Sequence, residues 1–149
     1  MLKLITKGRD LDPARLAGVY AESIRDMGEF YGEVYDFLSE TDTLYAVWLM
    51  DGMYACALRL EPYQDGLLIA GLETAPDLRG RGCAKALLRA VASQFPGRRL
   101  YSHVARKNIA SLAVHADCGF TKLHDGAILL DGSAGSSYVT LCNKNDADT

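Results

Sequence analysis

Six consecutive residues, Arg79-Gly80-Arg81-Gly82-Cys83-Ala84, set two glycines and two guanidinium groups between an apolar run and an amphipathic stretch. Glycine lets the backbone take positive φ or approach a ligand closely. A helix that begins near Gly82 aims its unpaired N–H groups and positive dipole end at the turn. Such a turn binds phosphate, and Arg79 and Arg81 add charge suited to a polyanion. Two familiar phosphate loops do not fit. Walker A needs Gly-Lys-Ser/Thr after its spacer, and the dinucleotide fingerprint needs a glycine or alanine where Lys85 stands. The bland alternative is an ordinary strand-to-helix turn with surface arginines.

Titratable groups of interest are few. The histidines are His103, His115 and His124, and the run Leu67 to Ala75 is apolar except for Glu73 and Thr74. A carboxylate there is costly to bury without a reason, and burial would raise its pKa toward a range useful for a base. The competing reading of Glu73 is an exposed strand residue paired with an arginine. Cys56, Cys83, Cys118 and Cys142 lie far apart with no C-x-x-C spacing, so they read as reduced and mostly buried rather than as zinc ligands, and no metal is expected.

These groups need a scaffold, and the chain is long enough to build one. Its 149 residues suit a single domain over 1–149, with 49% apolar and 23% charged residues. A net charge of −3 without a basic tract argues against nucleic acid. No apolar run approaches the roughly 20 residues that span a bilayer. The opening Met1 to Lys7 reads as a short strand without a signal-peptide core, so a cytoplasmic protein with no membrane partner is expected.

Strand and helix periods follow in order. Leu2 to Thr6 is a strand. Asp12 caps a helix with Pro13 at its first position, and Leu16, Val19, Tyr20, Ile24 and Met27 recur at helical spacing until Gly28. A second helix covers Tyr31 to Ser39. Leu44 to Met50 and Met53 to Leu60 are strands joined at the hairpin signal Asp51-Gly52. Leu67 to Ala75 is the central strand and Ala84 to Phe95 the helix after the turn, closed by Gly97. Arg99 to Val104 is a strand parallel to the central one, because a helix intervenes. Asn108 to Asp117 is a helix stopped at Gly119. Phe120 to His124, Ala127 to Leu130 and Tyr138 to Cys142 are extended, with a loop from Asp131 to Gly135 and a frayed polar tail from Asn143. The order is β-α-α-β-β-β-α-β-α-β-β, an α/β (α+β) chain.

Arg79, Gly82 and Ala84 form Arg-x-x-Gly-x-Ala, with Pro76 before and Leu87-Leu88 after. This resembles the pyrophosphate-binding signature of the GNAT family of N-acetyltransferases, which bind acetyl-coenzyme A. A second stretch is similar to the same family in register: Asn108, Ser111, Val114, Gly119 and Phe120 match, whereas the family's usual tyrosine is His115. The element order is also the family's, so the likeness covers nearly the whole chain, though only residues 72 to 120 carry specific motifs.

The resemblance implies the GNAT fold, a mixed central sheet of about seven strands (the number in the order above) with helices on both faces. It implies that the fourth and fifth strands splay apart and that the pantetheine arm lies in the gap. The cofactor would meet Leu72, Thr74 and Ala75, where a backbone N–H polarises the thioester carbonyl. It would also meet the turn Arg79, Gly80, Arg81, Gly82, Cys83 and Ala84, and Asn108 and Ser111 at the start of the following helix. His115 would take the tyrosine's place and protonate the departing thiolate. For the base, His103 and Glu73 stay open: a glutamate base occupies the position of His103 in the ribosomal-protein acetyltransferase branch, and Glu73 lies on the neighbouring strand.

The acceptor site would be bordered by the first two helices and the last two strands. Arg25 to Phe37, with Glu40 and Asp42, is acidic and aromatic and suits a cationic amine, while the small residues from Gly132 to Ser137 admit a range of acceptors. The expected reaction is acetyl transfer to a primary amine of a small molecule or peptide, against an alternative of an acyl-CoA-binding module without catalysis. Family likeness also points to a homodimer through the last strands, since a Tyr138 to Cys142 edge would need covering.

Overall fold

The computed structural model describes residues 1–128 and 134–144; the expected loop residues Asp131 to Ser133 and the tail from 145 lie outside them. The elements are β1 (Leu2–Ile5), α1 (Pro13–Val19), α2 (Met27–Ser39), β2 (Leu44–Met50), β3 (Met53–Tyr63), β4 (Gly66–Thr74), α3 (Cys83–Gln94), β5 (Leu100–Ala105), α4 (Ile109–Asp117), β6 (Thr121–Ile128) and β7 (Ala134–Cys142). This is the expected order. The strands form one seven-stranded sheet, β1-β2-β3-β4-β5-β7-β6, antiparallel throughout except between β4 and β5.

Alternation along the strands divides the core in two. On one face Ala46, Cys56, Leu58, Ile69, Leu100 and Val104 meet Leu87, Leu88 and Val91 of α3. Those three α3 side chains are 0% exposed, and each contributes roughly 1.5–3 kcal/mol of burial. On the other face Tyr45, Val47 and Ala57 meet Leu16 and Val19 of α1 and Val34, Phe37 and Leu38 of α2.

The feature that positions the site is a break in β4. Ala57 pairs with Glu73 and Arg59 with Ala70, so Leu58 faces both Gly71 and Leu72. Gly71 takes φ +62°, as a bulge of this kind requires. Beyond it β4 leaves β5: their parallel ladder holds Leu67–Leu100, Leu68–Tyr101 and Ile69–Ser102 and then ends. The implied splay is therefore present, with β4 from Ala70 to Thr74 unpaired on that side.

Several boundaries differ from expectation. Helix α1 stops at Val19 and α2 starts at Met27, because the Asp26 side chain accepts from the Glu29 amide at 2.7 Å and caps α2. Gly28 thus opens a helix rather than ending one. Strand β3 runs on to Tyr63, so its hairpin with β4 is tighter than the predicted connection from Glu61 to Gly66. Residues Ala134 to Ser137 belong to β7 rather than to a loop. Tyr138–Cys142 is not an edge: β7 lies between β5 and β6, so the argument for a dimer from that edge falls.

Candidate active site

A groove runs along the splay and past the glycine turn. It is lined by Leu72, Glu73, Thr74, Leu78, Arg79, Gly80, Gly82, Cys83, Ala84, Lys85, Asn108, Ala110, Ser111 and Val114. The Ala75 amide donates to Ala55 O at 2.8 Å. It therefore faces β3, and Ala75 does not line the groove; strand alternation turns the Thr74 amide to the gap.

The turn leaves its backbone accessible from the groove. Gly80 and Gly82 both have φ +77°, and an added Cβ at either would meet nothing within 4 Å. Each of the other three helices has a side-chain cap: Asp12 to the Arg15 amide at 3.1 Å, Asp26 to that of Glu29, and Asn108 to that of Ser111 at 3.1 Å. Helix α3 begins at Gly82 with none. Its first amides are open to the groove, where a phosphate oxygen can accept them. Lys85 adds a cation to the wall, held by Asp117 at 2.7 Å. Arg81 is exposed and lines neither cleft. Arg79 reaches across to the connection between α1 and α2, donating to both carboxylate oxygens of Glu22 at 3.1 and 3.2 Å, with Glu73 at 3.8 Å.

A second cleft opens on the opposite face of the sheet. Its walls are Tyr20, Ser23, Ile24, Arg25, Asp26, Glu29, Phe30, Glu33, Val34, Tyr45, Arg59, Gly71 and Glu73. The Tyr20 hydroxyl donates to Gly71 O at 2.5 Å, fixing α1 on the bulge. Glu73 is common to the two clefts. Its side chain is 38% exposed, so the expected burial is absent and desolvation does not explain its placement. Position does: it stands where the two spaces meet.

The two histidines are elsewhere. His115 is 1% exposed. Its Nδ1–H donates to Ser111 O at 2.8 Å, its Nε2 accepts from the Ser102 hydroxyl at 2.9 Å, and its ring stands edge-on to Phe120. Burial pulls its pKa below the usual imidazole value, against the Ser111 carbonyl. It is a neutral residue behind the groove wall, not an imidazolium facing a thiolate. His103 lies on the α1/α2 face of β5 against Tyr63. The Thr140 hydroxyl donates to Gly126 O, so it accepts from His103 Nδ1 at 3.0 Å. His103 lines neither cleft. His124 is exposed on β6. All four cysteines are free thiols, and burial pushes that of Cys56 up to about 12, far from a nucleophile's range.

Arg59 and Gly71 have no role in the sequence reading, and Tyr20 enters it only through its helical spacing. Arg59 interrupts the apolar run Tyr54 to Leu60 just as Glu73 interrupts the next strand, so the same argument would have found it. Gly71 inside a strand pattern is a bulge signal. Tyr20 carries none.

The model of the acetyltransferase (GNAT) family matches residues 14–120 of the chain. No curated protein matches its sequence. Solved structures with the same fold include a GNAT-family acetyltransferase from Bacillus cereus, at 17% identity and TM-score 0.71, covering 97% of this chain and 98% of that one. The ribosomal-protein-S18-alanine N-acetyltransferase of Escherichia coli is similar at 15% identity and TM-score 0.67, covering 95% and 92%. The PaiA N-acetyltransferase of Thermoplasma acidophilum, solved with coenzyme A, is similar at 14% identity and TM-score 0.63, covering 97% and 99%.

Proposed function

Since the chain belongs to the acetyltransferase (GNAT) family, we propose that it binds acetyl-coenzyme A in the groove and acetylates a primary amine held in the opposite cleft, by direct attack in a ternary complex. The observation that carries this reading is the place of Glu73, which touches both spaces.

Each residue then has a task. The uncapped amides of α3 and the Gly80–Gly82 turn hold the pyrophosphate, and Lys85 supports them with charge. The open edge of β4 takes the pantetheine arm as an added strand, and the Thr74 amide is the donor beside the thioester carbonyl. When bound, the thioester supplies the activated acetyl group. Asp26, Glu29 and Glu33 make the cleft attractive to an ammonium ion. Such an ion sheds two protons in the reaction: one ends on the free thiol and one leaves to solvent. Glu73, directly or through a water, takes the proton that the ammonium loses before it attacks and passes it to solvent.

A coenzyme A-binding module without turnover is the second reading. What favours it is His115, which is buried where the family resemblance places a thiolate-facing acid. Release of free thiol from acetyl-CoA in the presence of amines separates the two. Glu73→Gln should lower kcat/KM by about 10²–10⁴ with an unchanged melting temperature, since the residue is half-exposed. Stabilisation by acetyl-CoA without thiol release from any amine would establish the module instead.

A further inference from the structure

Two guanidinium groups line the acceptor cleft: Arg25 is exposed, whereas Arg59, on β3 of the sheet, is half-buried. Its guanidinium carbon is 5.3 Å from the centroid of the Phe37 ring. On its other side it meets the β4 bulge: a Cβ added to Gly71 would lie 3.5 Å from Arg59 Nε and 3.4 Å from the Tyr20 hydroxyl. Among the described residues no carboxylate pairs with it. The carboxylates of the cleft, Asp26, Glu29, Glu33 and Glu73, stand off it, and Glu73 turns to Arg79. Glu61 follows two residues along β3 and is 8% exposed, yet it forms no ion pair with Arg59, and its Oε1 has no hydrogen-bond partner. Burial raises its pKa, opposed by the nearby Arg59 charge. A half-buried guanidinium with no carboxylate in ion-pair contact is unfavourable on its own, and its fork matches a carboxylate.

We propose that the acceptor is a zwitterion of the amino-acid type, whose carboxylate is bound by Arg59 while its ammonium group lies toward Glu73. The inference rests on the acetyl-transfer reading above. The cleft holds about 420 Å³, within the range of small-molecule sites, and its charges are arranged for such a ligand. The carboxylates draw in the ammonium end, and the half-buried Arg59, rather than the exposed Arg25, takes the opposite end.

The test is thiol release from acetyl-CoA with α-, β- and γ-amino acids, each against its own carboxamide. Wild type should prefer at least one free acid by about ten- to hundredfold in kcat/KM, and Arg59→Met should bring that ratio toward one. Arg59→Lys, which keeps the charge but not the fork, should restore part of it. Stabilisation by acetyl-CoA shows that each variant is folded. Acids and amides acetylated alike, or a preference that survives Arg59→Met, would overturn the proposal while leaving the transferase reading intact. If Arg59 serves only to neutralise Glu61, then Arg59→Met and Glu61→Gln both shift the melting temperature and neither moves the ratio, which also overturns it. No thiol release with any amine would remove both readings together.

Discussion

Substitution of Gly82 perturbs two energies that one experiment can separate. The residue starts α3 at φ +77°. An L-amino acid in this left-handed region costs about 1–2 kcal/mol. No clash adds to it, because a Cβ there meets nothing within 4 Å. For a domain of this size each kcal/mol is about 2–4 °C of melting temperature. Gly82→Ala and Gly82→Trp should therefore both melt about 2–8 °C below wild type. They diverge when acetyl-CoA is added. At about 100 times its dissociation constant the ligand adds about 2.7 kcal/mol to wild type, a rise of about 5–10 °C. Gly82→Ala keeps most of that rise; Gly82→Trp, with an indole in the groove, loses it. Scanning calorimetry of the three proteins with and without ligand reads both effects. A Trp variant that gains as much as wild type refutes the placement of the cofactor on the turn. Variants that melt with wild type in the absence of ligand refute the left-handed start of α3.

Two further outcomes concern stability. His115 is depressed by burial, so its contribution is fully present above the unfolded value near 6.5, declines as pH falls below that, and is gone once the folded imidazole is protonated. Denaturant midpoints across this window should drop for wild type and less steeply for His115→Gln; parallel curves would show that His115 is not the responsible group. At Gly66 an added Cβ would sit 2.1 Å from Arg99 O, a backbone atom at the start of the parallel ladder, so Gly66→Ala should cost about 3 kcal/mol. A melting temperature within a degree or two of wild type would contradict that contact.

What the sequence made legible was whatever local chemistry decides. Asp51-Gly52 specifies a two-residue hairpin, and both residues do take positive φ. The Arg79 to Ala84 turn, with strand before and helix after, gives one wall of the groove. Asn108, expected at the cofactor, lines the groove and is also the α4 cap. What stayed hidden depends on direction. His115 and Ser111 lie one turn apart on α4, yet Ser111 lines the groove and His115 is buried behind it, which no spacing reveals. Glu73 was singled out for burial it does not have; its importance lies in the bulge that places it between two spaces. The boundary between α1 and α2 lies at Asp26, whose cap on Glu29 overrides the helical spacing that runs on to Gly28.

The short ladder between β4 and β5 has a mechanical consequence. Strands β1 to β4 and strands β5 to β7 are each joined internally by long antiparallel registers, but only three rungs connect one group to the other. Within the sheet the two groups thus meet at a narrow seam, which the core under α3 bridges on one face. A ligand lying along the open part of the seam acts as a brace across it. Hydrogen exchange should report that brace as slowed opening at Leu67 to Ile69, residues with which the ligand itself has no need to be in contact.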